Sequence, residues 1–118
     1  MRQIAIDIET FSPAPLAKTG VYPYAEHPDF RLLIFGYSID GGPVEVVDLA
    51  SGGGLPDEVL AALVDPGVAK WAHNAAFERV ALSAWLQRHY PPSCWRPGFL
   101  TRASGAARWC GRLNSVCR

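Results

Sequence analysis

From Gln3 to Glu9 the chain alternates: Ile4, Ile6 and Ile8 fall on one side, Ala5, Asp7 and Glu9 on the other. A period of two over this length predicts a strand. The stretch from Thr10 to Tyr24 is rich in Pro, Gly and Ser and reads as a loop with one short turn of helix around Leu16. Arg31 to Asp40 is apolar and β-rich, and Val44 to Leu49 reads as its return strand, with Gly41-Gly42 as the hairpin turn. Pro56-Asp57-Glu58 opens a helix, because proline suits the first helical position and acids suit the positive end of the dipole. Leu60, Leu63 and Val64 are its expected buried face, and Asp65-Pro66-Gly67 stops it. Val68 to Ala72 reads as a short buried strand. Asn74 then caps a second helix, in which Phe77, Val80, Ala81, Ala84 and Trp85 form one face until Tyr90-Pro91-Pro92 ends it. The predicted order is strand, loop, strand, strand, helix, strand, helix.

After Trp95 the pattern fails, and no period of two or 3.6 is sustained from Pro97 to Arg118. Charge changes at the same place. Residues 1–95 hold eleven acidic and six basic residues, a net of −5, whereas residues 96–118 hold five arginines and no acid, a net of +5. Such a tail suits nucleic acid, and it equally suits sequence never selected to belong to this fold. With 118 residues the chain holds one domain at most, here 1–95, followed by the basic irregular tail 96–118. Cys94, Cys110 and Cys117 form no CxxC pair, and no histidine follows Cys94, so unpaired thiols are expected rather than a zinc site. No stretch has the form of a signal peptide, and no window approaches the ~20 apolar residues of a membrane helix. A cytoplasmic location without membrane attachment is the default expectation.

The chemistry lies in the carboxylates. Asp7 and Glu9 are two apart on a strand and share a face, with Cα atoms about 6.5–7 Å apart at ~3.3 Å per residue. Two hard oxygen donors converging there suit Mg²⁺ or Mn²⁺. A pair of such ions roughly 3.5–4 Å apart promotes phosphodiester cleavage. Taken alone, Asp-x-Glu is a weak signal, better explained by a solvated strand face. It stands, however, at the carboxyl end of an apolar strand, where α/β folds place ligands. Glu78, in the first turn of the second helix, is near the apolar stripe but not on it, and its plain reading is an exposed acid favoured by the helix dipole. Asn74 as a cap, Phe77 as core and His73 without a role are the corresponding plain readings.

Asp7-Ile8-Glu9-Thr10 resembles the first exonuclease motif of the DnaQ-like proofreading nucleases, and His73-Asn74-Ala75-Ala76-Phe77-Glu78 resembles the second. The segment from Gly20 to Phe30 and the hairpin after it resemble the exonuclease-like N-terminus of phage-type family A DNA polymerases. The resemblance covers roughly residues 3–95. It implies a partial ribonuclease-H-like α/β fold with a mixed sheet and an irregular C-terminal tail. It implies that Asp7, Glu9 and Glu78 are the catalytic ligands of two divalent metals, Mg²⁺ or Mn²⁺. Thr10, Phe11, Asn74 and Phe77 would contact the 3′-terminal nucleotides of single-stranded DNA, and hydrolysis would release a nucleoside monophosphate. A polymerase domain, encoded separately or downstream, is the implied partner.

Two departures bear on activity. Most of the wider family has aspartate where this chain has Glu78, one methylene longer. The family also uses a third motif, a Tyr or His with an Asp on a later helix, and this chain has no acid after Glu78 and no histidine after His89. The metal site is therefore expected to be weakened, with a non-catalytic nucleic-acid binder or an inactive polymerase remnant as the alternatives. The Arg/Gly/Trp/Cys composition of the tail is what an out-of-frame reading of GC-rich DNA gives. A frameshift near codon 96 therefore predicts an acid-containing third motif in another frame of the nucleotide sequence, and the absence of one from every frame would make the tail native.

Overall fold

The computed structural model describes residues 1–65 and 67–89, and the backbone of 108–111. Strand β1 spans Gln3–Phe11, and its alternation is real: Ile4, Ile6 and Ile8 are buried while Ala5, Asp7 and Glu9 are exposed. Two short helices follow, α1 (Leu16–Thr19) and α2 (Val21–Glu26). Then come β2 (Arg31–Ile39), β3 (Val44–Asp48), α3 (Asp57–Val64), β4 (Ala69–Ala72), α4 (Ala75–His89) and β5 (Arg108–Gly111). The sheet order is β3-β2-β1-β4-β5, with β1 antiparallel to β2 and parallel to β4. A mixed α/β sheet is thus present, as expected.

The helices cover one face of this sheet. Ile4, Ile6, Ile8, Phe35 and Tyr37 form a single core with Ala25 of α2, Val59 and Leu63 of α3, and Val80, Leu82 and Trp85 of α4. The register pairs Ile6 with Tyr37 and Ile8 with Phe35, so these side chains stand on the same face. The opposite face carries Ala5, Asp7 and Glu9 with Ile34, Gly36 and Ser38 of β2 and Val44 and Val46 of β3. Val44 and Val46 are 73% and 66% exposed.

Several expectations are corrected. The short helical turn expected around Leu16 is α1, but the rest of the expected loop from Thr10 to Tyr24 also contains the end of β1 and most of α2. Gly20 takes φ +81° and ends α1 while preceding α2, and Pro23 sits in the first turn of α2, where its missing N–H has no helical partner to lose. Both residues read as breakers and act as boundary devices. The hairpin turns at Asp40-Gly41, both at positive φ, rather than at Gly41-Gly42. Asp40 Oδ1 accepts bonds from the Arg2 and Gln3 amides at 2.8 and 2.9 Å, which ties the turn to the start of β1 and holds the Asp40 carboxyl below its usual range. In α3 the buried residues are Val59, Ala62 and Leu63, while Leu60 and Val64 are half-buried. The tail expected to be irregular contributes β5, parallel to β4, and its remaining residues lie outside those described.

Two cations hold connections in place. Lys70 is fully buried, and its Nζ donates to the carbonyls of Asp65 and Val68, which fixes the α3–β4 turn. Arg88 at the end of α4 donates to the carbonyls of Ala25, His27 and Phe30 at 3.1, 2.7 and 3.3 Å, with its guanidinium 5.7 Å from the Phe30 ring centroid. One side chain thereby fastens the α2–β2 connection to α4. Arg88→Ala is expected to lower unfolding stability by roughly 2 kcal/mol, because three carbonyls lose a charged donor. Lys18→Ala, at an exposed position, should stay within about 0.5 kcal/mol. Urea denaturation measures both, and equal midpoints would contradict the clamp.

Candidate active site

Parallel pairing of β1 with β4 sends both strands out at the same edge of the sheet. Asp7 and Glu9 lie on the half of β1 that extends past the last β1–β4 pair, Ala5 with Trp71. Gly36 is the cross-strand partner of Asp7, so no side chain stands beside that carboxylate on β2. Next to Glu9 the register shifts: Glu9 pairs with Ile34 but Thr10 pairs with Leu32, leaving Leu33 as the extra residue of a β-bulge. Bulges commonly bend a strand and re-aim side chains near sites of this kind. Alternation in the sequence carries no sign of it.

At the neighbouring strand end, β4 passes through His73 and Asn74 directly into α4. Asn74 behaves as expected of a cap, accepting from the Phe77 amide on Oδ1 at 3.3 Å and from the Glu78 amide on its carbonyl at 3.1 Å. Glu78 does not take the exposed position of the plain reading. It is 5% exposed, and its Oε2 is buried with no hydrogen-bond partner among the described residues. Burial pushes its carboxyl from the usual 4.5 up to about 7, the negative charge of Asp7 pushes the same way, and the backbone N–H groups of Glu78 and Asn74 offset part of the rise. Asp7 and Glu78 are thus within electrostatic reach of one another, although 71 residues separate them in the chain.

The remaining candidates divide. Glu9 shares the exposed face of Asp7. Phe11 is 50% exposed at the end of β1, and Asn74 and His73 are exposed. Thr10 and Phe77 are half-buried and meet through a residue the sequence reading did not single out. The Thr10 hydroxyl is 3.0 Å from the Tyr24 hydroxyl, and the Tyr24 ring packs 6.0 Å from Phe77 and 5.8 Å from Phe30. Among the described residues, no three His, Cys, Asp or Glu side chains form a group that could hold a metal ion. The expected meeting of Asp7, Glu9 and Glu78 as one three-acid metal site is therefore not formed among the described residues: Asp7 and Glu78 are near enough to influence one another electrostatically, and Glu9 lies further along the face of Asp7. No described helix is long and apolar enough to cross a membrane.

With the Glu78 pKa raised on folding, the folded state holds a proton that the unfolded state releases. The stability associated with that proton is complete below about pH 4.5 and is lost as the pH rises to about 7, at no more than about 1.4 kcal/mol per pH unit. The melting temperature should therefore fall between about pH 5 and about pH 7.5, and Glu78→Gln should flatten that fall. Parallel curves for the two proteins would show that Glu78 is not the titrating group.

No family model matches the chain. It is 48% identical over 96 residues to a DNA polymerase of Bacillus phage SP02, a match that covers 81% of this chain and 15% of the phage protein. Among solved structures, Brucella melitensis NrnC is similar with a TM-score of 0.49 and 23% sequence identity, covering 71% of this chain and 35% of that one. The chain is thus similar in sequence to a stretch of a phage DNA polymerase, and it spans about 15% of that relative's length.

Proposed function

We propose that this chain is a nuclease portion of a phage-type DNA polymerase, a 3′–5′ proofreading exonuclease domain of ribonuclease-H-like descent that acts on single-stranded DNA 3′ ends. The observation that carries the reading is Glu78: a nearly dry carboxylate with an oxygen that has no partner among the described residues, within electrostatic reach of Asp7 on the neighbouring strand. Two acids held together in this way repel one another unless one is protonated or a cation stands between them. The sequence likeness to a phage DNA polymerase supports the same reading.

The donor set fits Mg²⁺ or Mn²⁺, because it is all carboxylate and contains no sulfur or imidazole. Asp7 and Glu78 would hold the ion. A divalent ion bound there supplies Lewis acidity for hydrolysis of a phosphodiester. The chain's own residues do the rest. Asp7 and Glu9 present their carboxylates on an open sheet face that a strand of DNA can reach. The absent side chain at Gly36 leaves that approach clear beside Asp7. Phe11 and Asn74 are exposed at the two strand ends, where a terminal base and its phosphate would lie.

Digestion of a single-stranded oligonucleotide, labelled so that release of 3′-terminal mononucleotides is followed, tests the proposal. Slow release that requires Mg²⁺ or Mn²⁺ is expected, and Asp7→Ala should lower it by roughly 100-fold, about 2.7 kcal/mol at the barrier. Binding without hydrolysis, independent of metal and weakening steeply with salt, would instead identify a nucleic-acid binder acting through its arginines.

A further inference from the structure

We infer that Tyr24 is a positioning residue that sets the spacing between the two carboxylate-bearing elements, a role that rests on the cation-site reading of Asp7 and Glu78. Tyr24 lies on α2, remote in sequence from both motifs, yet it touches the neighbour of an acid on each side. Its hydroxyl is 3.0 Å from Thr10 Oγ1, one residue beyond Glu9 on β1. Its ring packs against Phe77, one residue before Glu78 on α4, at 6.0 Å between centroids and 51° between planes. A third contact, edge-on to Phe30 at 5.8 Å, joins it to the connection that Arg88 holds by three carbonyl bonds. Aromatic pairs at these separations favour defined angles rather than free rotation. Tyr24 is therefore braced from behind while it touches both β1 and α4.

The point of contact matters. Thr10 is the first residue past the bulge, where the β1 ladder is interrupted, so its backbone position is less fixed by strand pairing than that of Asp7. The hydroxyl pair supplies a fixed contact there. On α4, Phe77 belongs to the first turn, whose amides depend on Asn74 rather than on an earlier helical turn. Tyr24 thus touches β1 just past the register shift and α4 in its first turn, each one residue from an acid. A tyrosine that merely filled space would need the ring and not the hydroxyl.

The experiment is a Mg²⁺ titration of the whole chain, following the side-chain carboxyl carbon NMR signals of Asp7 and Glu78, with thermal unfolding measured in parallel. In the wild-type protein both signals are expected to move with one midpoint. Tyr24→Phe keeps the ring and removes the hydroxyl, and it should raise that midpoint by roughly three- to tenfold, the range a lost hydrogen bond spans. Thr10→Val should give the same shift, the double variant no more than either alone, and Thr10→Ser should restore the wild-type midpoint. If Tyr24→Phe fails to fold, Thr10→Val and Thr10→Ser carry the comparison. A changed melting temperature with an unchanged midpoint would overturn the positioning role alone. Wild-type signals that do not respond to Mg²⁺ would overturn the cation site and this role with it.

Discussion

A carboxylate almost removed from water lies within electrostatic reach of a second one on the neighbouring strand. Asp7 is exposed on β1, and Glu78 is buried in the first turn of α4 with an oxygen that no described group satisfies. Burying a carboxylate beside another is unfavourable, and the fold relieves it by raising the Glu78 pKa to about 7. The rest of the architecture can be understood as what holds this pair in place. Parallel pairing sets the end of β4 beside the middle of β1, Asn74 starts the helix at once, and the core beneath α4 draws Glu78 inward.

The supporting structure is arranged on the helical side of the sheet. α2 and its connection to β2 are fastened to α4 by Arg88, and Tyr24 extends from that braced segment to Thr10 and Phe77. The acids Asp7 and Glu9 face the other way, onto a sheet surface where Ile34, Val44 and Val46 are exposed. One face is therefore used for packing, and the edge and the open face are left for chemistry. Such a division suits an extended polymer as substrate, because a flat, accessible surface beside the carboxylates can receive a chain end.

The sequence disclosed this unevenly. Alternation from Ile4 to Glu9 was enough to place Asp7 and Glu9 together on the exposed side of a strand, since a period of two leaves no other choice. The 3.6-residue stripe through Phe77, Val80 and Trp85 located α4 but understated its burial. That helix is also buried at Glu78, Leu82, Ser83 and Leu86, because it lies between the sheet and α2, and contacts on two sides widen the buried arc beyond one stripe. The environment of Glu78 therefore depended on tertiary packing that no local pattern encodes. α2 was hidden by Gly20 and Pro23, which mark breaks in most contexts and here mark helix starts. The bulge at Leu33 and the role of Tyr24 left no periodic trace, because each arises from pairing between segments distant in the chain.

The central claim is that the acids of β1 and α4 share one divalent ion. Crystals grown with Mn²⁺, measured for anomalous scattering, address it directly. A peak between the carboxylates of Asp7 and Glu78 is the predicted result. Crystals in which Mn²⁺ scatters only from other positions, with Glu78 still buried and unpartnered, would contradict the account.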